Sequence, residues 1–233
     1  MAQGHRRVTA ITYFRFDRDY LHDYKRNLRR LCDDFLIVED TEGGLMHSEG
    51  EYRQRLYRKA LDQGSKWAVV LDPDERIELR GIRKLSHLMA KAEQDGIPTV
   101  FRFDYRELYT PTQYRSDGIW GHKERMAVFP LLEGNVYSDA DLHMPKQPLN
   151  ADYRIVDTGI NIYHLKHINP ALRAQRRDLY EHLDPNHKYQ SIGYDYLTDE
   201  TGLALSKIPL SRMYWPLYHE YHMDDAIFET EQI

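Results

Sequence analysis

The 233-residue chain has little of what would mark a secreted disulfide scaffold, a membrane protein or a polyanion-binding surface. Its single cysteine, Cys32, excludes an internal disulfide and suits a reducing compartment. It has no run of about 18 or more apolar residues, so no helical membrane span is expected. Cations are not in surplus: 32 Lys and Arg stand against 37 Asp and Glu, a formal net charge of −5, which disfavours a dedicated polyanion binder. Phe and Trp are few, at 7 and 3, but Tyr is plentiful at 18. Tyr supplies burial area with a polar tip, so a core is within reach of a 41% hydrophobic chain. The stretch from Met1 to Arg7 carries no signal-like apolar segment, and a cytoplasmic location is expected. With no internal repeat, low-complexity segment or linker, the expectation is a single domain over 1–233.

Patterning divides the chain. Val8 to Phe14 is β-branched and aromatic with almost no charge, as in a strand buried on both faces. From Asp17 to Leu31, the spacing of Tyr20, Tyr24, Leu28 and Leu31 predicts an amphipathic helix. Phe35 to Val38 is a second short strand, ending in the acidic loop Glu39-Asp40-Thr41-Glu42. A helix over about 49–63 and a third strand, Trp67 to Leu71, follow, and then a helix over about 79–93 stopped by Gly96 and Pro98. Strand, helix, strand, helix, strand signals a doubly wound sheet, whose ligands bind beyond the carboxyl ends of the strands. Both acidic loops, 39–42 and 72–75, lie there. In the second half, 99–105, 125–130, 153–157 and 159–164 read as strands, 109–121 as turn-rich, and Pro170 to Leu183 as a helix with proline in its first turn. The last fifty residues show no clear pattern.

The strongest local signal is Trp67-Ala68-Val69-Val70-Leu71-Asp72-Pro73-Asp74-Glu75-Arg76. An apolar strand here delivers two carboxylates, one residue apart, to the ligand edge of the sheet. A hard cation such as Mn²⁺ or Mg²⁺ takes oxygen ligands and needs few from protein when phosphates and water complete its shell. Acids in a turn before a helix have a plain structural reading too. The apolar strand before them and the second acidic strand end upstream favour the functional one.

This segment resembles the "W-x-x-x-L-D-x-D-E" stretch of family 2 glycosyltransferases with the GT-A fold. Asp34 to Asp40 is similar to that family's second strand, Arg125 to Phe129 to its "R-L-F" strand, Ile155 to His164 to the strands ending in "H-y", and Arg173 to Tyr180 to the following basic helix. The likeness spans roughly residues 8–185. It implies a GT-A-like α/β fold, a doubly wound mixed sheet flanked by helices. Residues of about 1–98 would bind the nucleotide sugar, those of about 99–185 would meet the acceptor and complete the metal site, and 186–233 would be a C-terminal extension. Glu39 or Asp40 would meet the nucleotide base, and Asp72 the ribose and the metal. Asp74 and His164 would hold Mn²⁺ or Mg²⁺ against the pyrophosphate, with Arg53, Lys166 and Arg173 near the nucleotide and leaving diphosphate.

Two departures from the family pattern stand out. Where relatives carry "K-N-E" after the first strand, this chain reads Phe14-Arg15-Phe16-Asp17, and where they carry "H-E" in the acceptor loop it reads His143-Met144. The catalytic candidates are therefore Asp141, Asp139 and His143, with either Asp as the base. His164 and His167 invite a zinc reading, which the isolation of Cys32 and the lack of a third soft ligand oppose. The expected function is metal-dependent, inverting transfer of a sugar from a nucleoside diphosphate sugar to an acceptor hydroxyl, on a saccharide or on a modified nucleic acid. A nucleotidyltransferase or a catalytically silent binding module are the alternatives, although no glycine-rich loop follows the first strand to serve a triphosphate.

Overall fold

The computed structural model describes residues 6–15, 17–41, 48–140 and 144–219. A mixed sheet runs in the order β2-β1-β3-β7-β5, continued from β5 by β8 and then β4, with β6 and β9 extending the far end of β5. The first three strands, β1 (Val8–Phe14), β2 (Asp34–Glu39) and β3 (Trp67–Val70), are parallel. The chain goes from β1 to β2 on one side and returns to β3 on the other. The reversal in strand order thus falls between β1 and β3, where open α/β sheets bind ligands.

The helices cover both faces. α1 (Leu21–Leu28) and α3 (Leu79–Asp95) pack Tyr24, Leu28, Ile82, Leu85 and Met89 against Ala10, Val69, Phe103 and Ile160 on one side of the sheet. α2 (Glu49–Asp62) sets Leu56, Tyr57 and Ala60 against Ile11, Tyr13, Val70 and Phe129 on the other. β1 is buried along its whole length, as its uncharged sequence requires. The predicted helix from Asp17 to Leu31 is shorter than its pattern. A single 3-10 turn precedes it, and Asp33 ends it by accepting the Val8 N–H through Oδ2 and donating its own N–H to the Val8 carbonyl, which draws the chain into β2.

The second half differs more from its sequence reading. β5 (Thr99–Thr110) is longer than expected, and β7 (Lys123–Pro130) pairs antiparallel with β3 and β5. The two strands predicted at 153–157 and 159–164 are one strand, β8 (Arg154–His164). Gly159 sits at a φ of +60° inside it, a bulge rather than a turn, and the register with β5 shifts there. The acidic turn after β3 opens into β4 (Glu75–Ile77), which pairs with β8. The turn-rich stretch holds β6 (Gln113–Arg115), paired with β9 (Leu205–Lys207) from the region without pattern. Part of that extension packs back through Tyr194 and Leu197 against Trp120. The predicted helix α4 (Pro170–Leu183) has its expected bounds. Pro170 lies in its first turn, and the Asn169 side chain accepts the N–H groups of Ala171 and Leu172. Among the described residues no helix is long and apolar enough to cross a membrane.

Candidate functional site

A cleft of about 620 Å³ opens at the carboxyl ends of β1 and β3. The turn 71–75 forms its floor and is held from three sides. Glu75 is fully buried. Its Oε2 accepts the Asp72 N–H at 2.9 Å, and its Oε1 accepts the Tyr105 hydroxyl at 2.6 Å and the Arg125 guanidinium at 2.9 Å. Arg76 is also fully buried and donates to the carbonyls of Pro73, Glu75 and Tyr20. The Leu165 N–H donates to the Asp74 carbonyl at 2.9 Å. A turn fixed this way presents both Asp72 and Asp74 to the cleft.

Strand register, not sequence proximity, assembles the rest. Glu75 of β4 and Glu107 of β5 each pair with His164 of β8. His164 is consequently flanked by two carboxylates, with Nε2 3.1 Å from Asp74 Oδ2 and Nδ1 2.6 Å from Glu107 Oε2. Burial opposes the charged imidazolium, but Glu107 and Asp74 outweigh it and raise the His164 pKa to about 9. Burial likewise works to raise Asp74, yet His164 and Lys166 bring it down to about 2. Asp74 Oδ1, in contrast, is buried without a hydrogen-bond partner. A desolvated carboxylate oxygen left unpaired at the floor of a cleft is costly unless a ligand meets it.

Asp72 is occupied by the protein's own cations. Lys146 Nζ lies 2.7 Å from its Oδ1 and Arg53 Nη2 lies 3.5 Å away. Against the effect of burial, these cations hold the Asp72 carboxyl well below the usual range. Of the pair expected to hold a metal with His164, the structure brings Asp74 to the imidazole and gives Asp72 to Lys146 and Arg53. Arg53 spans Glu49 at 2.7 Å, and its Nη1 is buried without a partner. Lys166 lines the cleft with no carboxylate inside ion-pair distance among the described residues. Arg176 pairs with Asp17 at 2.6 Å. Burial and the nearby Asp74 raise the Asp17 pKa to about 6.

Other expected site residues lie elsewhere. Glu39 is bound by Arg18, and Asp40 is buried 3.6 Å from Arg15; neither lines the cleft. Arg173 points to the Tyr109 ring at 4.4 Å and to Glu200 at 3.3 Å. Asp139 is exposed and lines a separate depression with Ser48 and Gln54 of the α2 region. Asp141 and His143 lie outside the described residues.

Several residues of the cleft carried no distinguishing signal in the sequence: Asp17, Glu107, Lys123 and Lys146; Arg125 and Arg176 fell within segments that resemble the family but were given no role there. The structure adds a carboxylate to the His164 and His167 pair: no third soft ligand joins them among the described residues, but Glu107 comes from β5, and the three are all buried with ligand atoms within 4.8 Å of one another, close enough to hold a metal ion. Burial lowers the His167 pKa to about 3, so this imidazole is neutral. Alternation in β5 pointed its odd residues inward, and that was the one available sign for Glu107.

No protein-family model matches the chain, and no curated protein matches its sequence. Among solved structures, the crystal structure of A197 from STIV is similar at 12% sequence identity over 68% of this chain and 85% of that one, with a TM-score of 0.37. At that score the likeness adds nothing to the mixed α/β architecture shown by the strands and helices themselves.

Proposed function

We propose that this is a GT-A-like, metal-dependent glycosyltransferase, in which the cleft binds a nucleoside diphosphate sugar with Mn²⁺ or Mg²⁺ and transfers the sugar, with inversion, to an acceptor hydroxyl. The observation that carries the proposal is the Asp74 carboxylate, whose Oδ2 lies 3.1 Å from His164 Nε2 while its Oδ1 is buried without a partner, at the point where the strand order reverses. One hard oxygen donor and one imidazole suit a divalent ion that draws its remaining ligands from phosphate and water. Asp74 and His164 would hold the ion, and when bound it would neutralise charge building on the leaving diphosphate.

The surrounding residues support the same reading. Lys166 and Arg176 add positive charge on the α4 side of the cleft, and Arg53 offers its unpartnered Nη1 on the α2 side. These cations face a substrate of at least two negative charges better than a neutral one. Asp72, held by Lys146 and Arg53, is left to accept a hydrogen bond from the donor ribose rather than to ligate the metal. In the transfer the acceptor oxygen forms a bond to the anomeric carbon. The bond from that carbon to the diphosphate oxygen breaks, and its electron pair leaves with the diphosphate. The acceptor proton passes to a carboxylate, for which Asp141 remains the candidate and Asp139, facing another depression, does not.

The test is turnover of UDP-, GDP-, CDP- and TDP-sugars with Mn²⁺ and no acceptor. The expected result is slow, metal-dependent release of free sugar and nucleoside diphosphate from a selected donor. Turnover only on addition of pyrophosphate, giving a nucleoside triphosphate and a sugar 1-phosphate, or binding with no turnover of any donor, would contradict the assignment.

A further inference from the structure

We infer that Glu107 is a positioning residue for the metal-binding imidazole: its carboxylate takes the Nδ1–H of His164 and so points Nε2 at Asp74, leaving Nε2 as the nitrogen a metal would bind. The inference rests on the metal reading of Asp74 and His164 and names the group that makes His164 a ligand there.

Three features support it. The β5 to β8 register sets Glu107 directly opposite His164, so a 57-residue separation closes to 2.6 Å between Oε2 and Nδ1. The carboxylate cannot swing away, because its other oxygen, Oε1, accepts from Lys123 Nζ at 2.9 Å. Lys123 in turn sits over the Trp120 ring at 4.1 Å. Both partners are buried, Glu107 at 3% and His164 at 6% exposed, so water does not compete for the Nδ1 proton. An ionised carboxylate only accepts hydrogen bonds, so Nδ1 must carry the hydrogen, and with a metal bound the free lone pair is on Nε2. Carboxylate, histidine and metal in series is a recurring way to fix ring orientation and raise ligand basicity.

A different arrangement uses the same residues. If Glu107, His164 Nδ1 and His167 chelated the ion directly, the ligand nitrogen would be the other one, and Asp74 would have no part in holding the metal. His167 Nε2 lies 3.3 Å from the Oε2 that His164 already occupies. In the positioning account His167 adds only a weak third contact to this carboxylate.

The experiment titrates Mn²⁺ alone into the full chain, with free ion read by electron paramagnetic resonance. The wild type is compared with Asp74→Asn, Glu107→Gln and His167→Asn. Glu107→Gln is expected to weaken Mn²⁺ binding about 10- to 100-fold while the protein stays folded by circular dichroism. The double variant Glu107→Gln/Lys123→Met removes the stranded ammonium and should show the same loss, which separates positioning from misfolding. Asp74→Asn should weaken binding at least as much as Glu107→Gln, and His167→Asn should change it by no more than about threefold. Unchanged affinity in folded Glu107→Gln, with Asp74→Asn impaired, overturns the positioning role and leaves the metal site standing. Loss in His167→Asn with none in Asp74→Asn overturns it in favour of the direct chelate. A wild type that binds no Mn²⁺ overturns the metal reading and the inference together.

Discussion

His164 concentrates the chemistry of the site and also links it to stability. In the metal-free protein it is flanked by Asp74 and Glu107, and its pKa is raised from 6.5 to about 9. A base whose folded pKa exceeds its unfolded value stabilises the fold fully below the unfolded pKa. That contribution is lost as pH rises through the folded one. The three-group cluster should therefore contribute on the order of 3 kcal/mol at pH 6 that disappears between about pH 6.5 and 9. Urea denaturation of chelator-treated protein across that range checks it. His164→Asn should flatten the slope, and an equally steep decline in the variant would assign the effect to other groups. His164 was visible in the sequence through the resemblance of Ile155 to His164 to the family's strands ending in "H-y", but Glu107 lies 57 residues away on another strand and had no reason to be paired with it.

At the scale of elements, the site depends on β4, a three-residue strand at the end of the sheet. It pairs with β8 on one side, and on the other side a side chain completes its bonding. Asn27 of α1 accepts the Ile77 N–H through Oδ1 at 2.9 Å and donates through Nδ2 to the carbonyls of Ile77 and Trp215. One amide thus ties α1, β4 and the C-terminal extension together, two residues from Glu75. Asn27→Ala would leave the Ile77 N–H and two carbonyls without this partner in a buried setting, at an expected cost of about 2–4 kcal/mol in unfolding free energy. A loss under about 0.5 kcal/mol in urea titrations would mean that water or backbone shifts replace the amide. Nothing in the sequence marked Asn27, since a polar residue on an amphipathic helix is ordinarily solvated. The neighbouring α3 shows a related constraint. A Cβ at Gly81 would come within 2.3 Å of Ile160, so glycine there lets the helix approach β8 closely.

Across the whole molecule, the parts legible in the sequence were those governed by local periodicity. β1 to β3, α2 and α3 lie where apolar spacing placed them, because each buries its own stripe against one sheet, and α4 lies where Pro170 placed its first turn although Arg173 is its one buried residue. The long-range pairings were not legible. β8 read as two strands because a glycine bulge looks like a turn in sequence, and β6 and β9 are three-residue strands defined by pairing alone, β6 with β5 and β9 with β6. The candidate site divides the same way. Asp72, Asp74 and His164 stood at strand ends within the family-like segments and were visible, whereas Glu107, Lys123 and Lys146 come from positions that ordinary solvated charges also occupy. The net charge of −5 conceals a cleft in which Lys146, Lys166, Arg53 and Arg176 surround two aspartates. In the proposed reaction Asp74 and His164 would hold the ion needed to break the bond between sugar and diphosphate. The most direct test compares Mn²⁺-dependent donor hydrolysis in wild type and Asp74→Asn. A fall of at least about 100-fold in the variant, with thermal stability retained, is the predicted result. Equal hydrolysis in the two proteins would contradict the account.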